Sequence, residues 1–496
     1  MNQKEPLSRK LTFGIFYLLS SSFATIGINV VTVGFVARSL GVENFGLYSA
    51  ILSFVGLFEF LSDFGLNKTL LKFGSTDKTK AQISFGNALF VKSVLIFPLL
   101  LLVTFFGFLS GYRDEKIIIL ILFSLSLILE SFGTVFSSIR RILGSFKLIS
   151  FFRVLKTAIN LVIIYIALTM DNSVLSLATA ILLLNIIIFI ISLINTILLL
   201  KPKLRLRIIG DFFKDSVIFS LSDFFLNIYG KISTVLLSFF SELHSVGIFS
   251  AALKFTKIAN LLPNQVKFAL LPTMYRILEE RTGETAMGRD GEKNKEKRVF
   301  IILLKYMIIF ATPLVISIYF FSDSIIHLIF GRKYDLSIPL VKLFSFFIYL
   351  RFIETPFTLF YIAMHKHKNM VYFQGFTSFL NIILNLILIP IYSLYGACYS
   401  SLISETFFAL SLIIVGSKYL IWHFKDVFSM LVKPTFSGFA SILLTIILLN
   451  KTNIFIQVLF LIICYFVLLF AIKTFNKEDK ELFLKIFQTK NVSISD

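Results

Sequence analysis

Ten cationic side chains stand inside stretches of sequence that are otherwise apolar: Lys92, Arg153, Lys156, Lys231, Lys254, Lys257, Lys267, Lys305, Lys342 and Arg351. A Lys or Arg at the centre of a bilayer costs about 2.5–3.5 kcal/mol even on the lenient insertion scale. Arg153, Lys156, Lys267 and Lys305 lie close enough to the end of a run to snorkel. Lys92, Lys231, Lys254, Lys257 and Arg351 lie deeper, so they are expected to line a wet interior. Fixed cations in a low-dielectric vestibule attract anions. A phosphate or pyrophosphate headgroup, or an acidic sugar, fits such a site, whereas a hydrophobic cation does not. Carboxylates occupy the same runs: Glu59, Asp63, Glu130, Asp223, Glu354 and Glu405. Of these, Glu130, Asp223, Glu354 and Glu405 are candidates for proton or Na⁺ coupling, and equally for neutralising a lysine.

Spacing sorts these residues onto helix faces. Asp223, Asn227, Lys231, Thr234 and Ser238 recur at steps of three and four, which places them on one face of a helix. Lys254, Lys257, Asn264 and Gln265 share another. Gln374, Ser378, Asn381 and Asn385 share a third, and Ser22, Thr25, Asn29 and Thr32 a fourth. Asn29, Asn227, Asn264, Gln265 and Asn381 are therefore candidate polar lining. The Ser, Thr and Asn faces would also serve as interhelical glue, a role that needs no charge. Arg351 and Glu354, three apart, are placed to pair. Cys398 and Cys464 have no second Cys or His at ligand spacing, so neither a disulfide, a metal site nor a cofactor is expected.

The elements that carry these faces follow from composition. The chain has 496 residues, 57% of them hydrophobic, with a mean hydropathy of +0.87. Only 15% are charged, against about 25% in a soluble domain. The apolar residues fall in long runs, which excludes a water-soluble enzyme and a disordered chain. Taking about 20 residues per crossing, roughly fourteen helical spans are predicted. They lie near 12–37, 46–66, 84–110, 116–138, 147–169, 174–200, 215–240, 247–271, 299–321, 337–362, 370–390, 394–419, 427–449 and 453–475. The first run reads as a retained helix, without the small-residue cleavage site of a signal peptide.

Lys and Arg in the connecting segments set the orientation. With the N-terminus in the cytoplasm, 32 of them fall on the cytoplasmic side and 6 on the other. Both termini are thus expected to be cytoplasmic. The net charge of +20 is accounted for without nucleic acid as a partner. Outer connections are short. The longest cytoplasmic one, near residues 272–298, has no Gly-rich phosphate loop.

The halves of the chain also resemble each other. Phe45-Gly46-Leu47-Tyr48-Ser49-Ala50 matches Val246-Gly247-Ile248-Phe249-Ser250-Ala251 at an offset of 201. Lys147, Phe152 and Asn160 match Lys368, Phe373 and Asn381 at an offset of 221. Six spans per half in one orientation imply a parallel repeat about an axis along the membrane normal. The expected organisation is an N-terminal lobe of residues 1–200, a second six-helix lobe of residues 201–420, and two extra helices with a tail in 421–496.

Ala37-Arg38-Ser39-Leu40-Gly41-Val42-Glu43-Asn44-Phe45-Gly46-Leu47-Tyr48 resembles the opening motif of the polysaccharide-transporter (Wzx-type) flippases. Val246–Ala252 followed by Leu262-Pro263 and Leu271-Pro272 is similar to their second-half motif, and Asn381–Pro390 followed by Tyr395-Gly396-Ala397 to a third. The family belongs to the multidrug/oligosaccharidyl-lipid/polysaccharide exporter superfamily. The resemblance implies an all-helical, two-lobed fold in the bacterial cytoplasmic membrane. It also implies movement of undecaprenyl-pyrophosphate-linked sugar repeat units to the periplasmic leaflet for surface polysaccharide such as O-antigen, capsule or exopolysaccharide. Membrane lipid and the polysaccharide polymerase machinery would be its partners. Lipid II relatives carry arginines in their first two helices. Here Arg38 alone stands at a helix end, which argues against lipid II as substrate. The competing expectation is a cation-coupled drug or small-molecule exporter of the same superfamily. It would call for twelve helices and acidic lining residues.

Overall fold

The computed structural model describes residues 7–74, 77–260, 263–267, 289–364, 367–417, 424–449 and 452–475. The long apolar runs fold as helices because a chain in lipid must satisfy every backbone N–H and C=O within its own segment. α1 runs from Leu7 to Leu57 and is interrupted at Gly41, whose φ of 74° and ψ of 177° lie in a region that glycine alone enters without strain. Two short helices follow, α2 (Glu59–Asp63) and α3 (Leu66–Gly74), separated by Phe64 and Gly65, both at positive φ. Then come α4 (Lys78–Leu109), α5 (Glu115–Ile142), α6 (Phe146–Met170), α7 (Val174–Leu199), α8 (Ile209–Phe240) and α9 (Leu243–Ala259). The remainder comprises α10 (Arg289–Phe320), α11 (Ser322–Ile329), α12 (Ile338–Ala363), α13 (His367–Tyr392), α14 (Leu394–Ser417), α15 (Phe424–Leu449) and α16 (Ile454–Ala471). The chain is an all-α polytopic membrane protein.

Among the described residues, eleven helices are long and apolar enough to span a membrane, where the sequence suggested about fourteen. Two differences account for much of the gap. The first and second predicted spans run into one another through α1, and the second ends as the broken α2–α3 pair. The seventh and the start of the eighth correspond to α8 and α9, whose following segment lies partly outside the described residues.

The helices pack as two units. The first comprises Met1–Lys254, Ile326–Leu340 and Val371–Ser404. In it α1 packs on α6 and α8, and α5 on α4 and α7. Close approach is set by the paired glycines of the repeat. A Cβ on Gly46 would stand 1.9 Å from the Leu243 carbonyl oxygen, and one on Gly247 would stand 2.2 Å from that of Val42. Val42 and Leu243 carry the same offset of 201 as the glycines. The contact is therefore reciprocal, as an isologous two-fold contact is. Arg38 closes this region by donating to the carbonyl oxygens of His327, Leu328 and Ile329 at 2.9, 2.6 and 3.1 Å, which cap the C-terminal end of α11.

The second unit comprises Phe255–Ile325, Val341–Met370 and Glu405–Asp496. Here α15 and α16 form a pair on α10. Ile316, Phe321, Ile442 and Leu461 make a buried cluster, and the Tyr465 hydroxyl donates to the Ile309 carbonyl at 2.9 Å. Buried phenols need such a partner where no water can serve.

Candidate functional site

The polar face predicted on residues 223–231 forms part of a cavity of about 700 Å³ inside the first unit. α1, α2, α3, α5, α7 and α8 contribute its walls. Four carboxylates line it: Glu59, Asp63, Glu130 and Asp223. Each has a lysine, and the four lysines come from four different helices. Lys68 of α3 lies 2.8 Å from Asp223, and Lys156 of α6 lies 2.8 Å from Glu130. Lys92 of α4 lies 2.9 Å from Asp63. Lys231 of α8 lies 4.0 Å from Glu59, the longest of the four separations, and is the one lysine lining the cavity.

The four pairs differ in burial, so they differ in role. The Lys92 side chain is 1% exposed and makes two contacts, with the Asp63 carboxylate and with the Ser131 carbonyl oxygen at 2.7 Å. A buried ammonium survives only when its hydrogens are used in this way. Lys92 therefore ties α4 to α2 and α5 and does not line the cavity. Asn67 extends the same network, donating to the Asp63 carboxylate and to the Thr134 hydroxyl. The Lys68–Asp223 and Lys156–Glu130 pairs are more exposed and join α3 to α8 and α6 to α5. Lys231 reaches the cavity past Gly56. A Cβ there would stand 2.6 Å from its Nζ, so the absence of a side chain on α1 is what leaves room for the ammonium. Lys254 of α9 is half-buried and belongs to the same unit.

The other residues singled out by spacing are placed as follows. Asn227 lines the cavity. Asn381 is fully buried and donates from Nδ2 to the Ser404 hydroxyl at 3.2 Å. Asn385 donates to Ser233 at 3.0 Å and to the Asn381 carbonyl at 2.7 Å. This network joins α8, α13 and α14. Asn29 is exposed on α1. In the second unit, the Arg351 guanidinium holds both oxygens of the fully buried Glu405 carboxylate, with Nη2–Oε2 at 2.9 Å, and lies 3.9 Å from buried Glu354. Lys257, Asn264 and Gln265 belong to the second unit, with Lys257 and Asn264 exposed and Gln265 half-buried. All four carboxylates proposed for coupling thus face a basic residue.

Asn67, Lys68 and Asn185, at or beside the cavity, and Gly56 carried no expectation from the sequence, while Glu59 and Asp63 stood only among the intramembrane carboxylates. Glu59, Asp63 and Asn67 carry a signal: acidic and amide residues four apart in an apolar stretch. Among the described residues no group of His, Cys, Asp and Glu could hold a metal ion.

Residues 11–278 match the family described as polysaccharide biosynthesis protein. No curated protein matches the sequence. Among solved structures, the lipid II flippase MurJ in an inward closed conformation aligns with a TM-score of 0.75 at 17% identity, over 93% of this chain and 99% of that one. An inward-facing multidrug resistance MATE family transporter of the MOP superfamily aligns at 0.62 and 15% identity, over 78% and 94%. An outward-facing multidrug resistance MATE family transporter of the same superfamily aligns at 0.60 and 15%, over 82% and 95%. At these identities the likeness shows the fold.

Proposed function

The chain belongs to the polysaccharide biosynthesis protein family, and from that premise we propose that it is a flippase for lipid-linked oligosaccharides. It would move undecaprenyl-pyrophosphate-linked repeat units from the cytoplasmic to the periplasmic leaflet, in the bacterial cytoplasmic membrane, with both termini cytoplasmic. The observation that carries the reading is the cavity with Lys231 on its wall, its ammonium only loosely held by Glu59 at 4.0 Å. An ion pair that long leaves the cation able to meet an incoming pyrophosphate. The other three wall carboxylates, each neutralised by its own lysine at 2.8–2.9 Å, repel an anionic head far less than bare charges would. The isoprenoid tail stays in lipid while the head crosses.

The same proposal assigns the lobes of residues 1–200 and 201–420 to alternating access, with the two extra helices in 421–496 flanking them. Lys254, Lys257 and Arg351 would join Lys231 in contacting substrate at some stage of the cycle. Asp223, Glu130, Glu354 and Glu405 would exchange their basic partners for a coupling ion. The product feeds a polysaccharide polymerase. One feature favours a second reading, a cation-coupled exporter: four carboxylates line the cavity. Deletion of the gene in its host separates the two. Accumulated complete lipid-linked repeat units and lost surface polymer, both restored by wild type but not by Lys231→Ala, support the flippase. Unchanged lipid intermediates with altered sensitivity to cationic drugs support the exporter.

A further inference from the structure

A second recess, of about 310 Å³, lies between α5, α6 and α7 of the first unit. Its polar side carries Arg140, Arg153, Lys156 and Glu130, three cations to one carboxylate. Arg140 is only 5% exposed, and its guanidinium stacks on the Phe152 ring at 4.8 Å. Its Nε and Nη2 are buried and have no hydrogen-bond acceptor among the described residues. A guanidinium keeps its charge at any physiological pH, so these N–H groups call for an acceptor that none of the described residues supplies. Arg153 spends one nitrogen on the Ser22 hydroxyl, with Nη1–Oγ at 3.1 Å, and Lys156 is shared with Glu130. The missing partner is an anion with several oxygens in one plane of approach, and phosphate meets the Arg fork in that way.

The other side of the recess identifies the carrier of that phosphate. Leu155 and Ile159 of α6, and Ile188 and Ile191 of α7, form its apolar wall. Leu155 and Ile159 are about four-tenths exposed and Ile191 is half exposed. Their spacings of four and three set them in line along each helix, a strip suited to an acyl or isoprenoid chain. Arg140 and Arg141 end α5 and Lys147 follows, a cluster on the side that the Lys and Arg count assigns to the cytoplasm.

We propose that this recess binds the phosphate head of a lipid from the cytoplasmic leaflet, with Arg140 and Arg153 holding the phosphate and the α6–α7 strip holding the chain. Glu130 and Thr134 line both this recess and the larger cavity, so the Lys156–Glu130 pair stands between the two. A phosphate drawn to Lys156 would loosen that pair. Binding at the recess is a property of the first unit alone and does not depend on the transport reading.

The test uses the purified full chain in phosphatidylcholine nanodiscs, titrated with fluorescent phosphatidic acid and, separately, with inorganic phosphate as competitor. Saturable binding weakened at least tenfold by Arg140→Gln and by Arg153→Gln, but not by Arg141→Gln at the exposed neighbouring position, supports the site. Ile191→Trp, which fills the strip without changing charge, is expected to weaken the lipid by a similar factor. It keeps the test open if Arg140→Gln fails to fold by thermal melting. Equal weakening by Arg141→Gln would show attraction to surface charge only and overturn the proposal. So would displacement of the lipid by inorganic phosphate as readily as by unlabelled phosphatidic acid, or no effect of Ile191→Trp. No saturable binding by the wild-type chain, with normal clearance of lipid-linked repeat units in the host, would sink the recess and leave the flippase standing. Normal binding without such clearance would do the reverse.

Discussion

Replacing Gly46 by alanine tests the reciprocal glycine contact with a magnitude that the geometry sets. The new Cβ would stand 1.9 Å from the Leu243 carbonyl oxygen, 2.9 Å from its carbon and 3.0 Å from the Gly247 nitrogen. All three are backbone atoms, so no rotamer change relieves the clash. Restoring van der Waals contact requires the start of α9 to retreat by about 1.5 Å from α1. Overpacking in a tight interior costs about 1–3 kcal/mol where side chains can yield, and the upper end is expected here. Gly27 and Gly133 supply the control, since nothing stands within 4 Å of a Cβ at either. Alanine there should be neutral or stabilise by up to about 1 kcal/mol through helix propensity. Thermal melting of the detergent-purified chain should show clear falls for Gly46→Ala and Gly247→Ala and none for the controls. The two substitutions share one contact, so the double variant should lose less than the sum. Equal melting of Gly46→Ala and Gly27→Ala would refute the argument.

Three further outcomes follow from the ion pairs and the polar network. Lys92→Ala leaves the Asp63 carboxylate without its buried partner and should cost about 3–5 kcal/mol, whereas Lys92→Met with Asp63→Leu should recover most of that, read as expression and melting temperature. Gly56→Ala pushes the Lys231 Nζ, the far end of a flexible chain, so melting should hold while restoration of surface polysaccharide falls. Asn385→Ala removes donations to Ser233 and Asn381 and should destabilise by about 0.6–2 kcal/mol without altering substrate clearance, because that network is packing and not lining.

The helical class of the chain, and the positions of most of its spans, could be read directly from hydropathy because lipid admits few alternatives. The face through Asp223, Asn227 and Lys231 was legible for the same reason: one helix carries it, and periodicity is a property of one helix. What escaped depends on pairs of helices. Lys92 and Lys231 look alike in sequence, yet one is buried against Asp63 and the other lines a cavity, a difference made by α2 and by Gly56. The break at Phe64–Gly65 ends the apparent span as α2 and α3, and so brings Glu59 and Asp63 to the cavity wall and Lys68 beside it. Asn381 shared a helix face with its neighbours as expected, but only packing shows that this face meets Ser404 and not solvent. Arg140 gave no sequence signal, since it ends a helix where arginines are common.

The most direct test of the central claim is transfer across a membrane by the purified chain alone. Proteoliposomes would carry undecaprenyl-pyrophosphate-linked oligosaccharide in the inner leaflet, and a lectin outside would report the sugar as it reaches the outer one. Lectin capture should depend on the protein, be lost in Lys231→Ala, and be largely kept in Lys231→Arg. Capture no faster than in empty vesicles, or equal capture with Lys231→Ala, would contradict that claim.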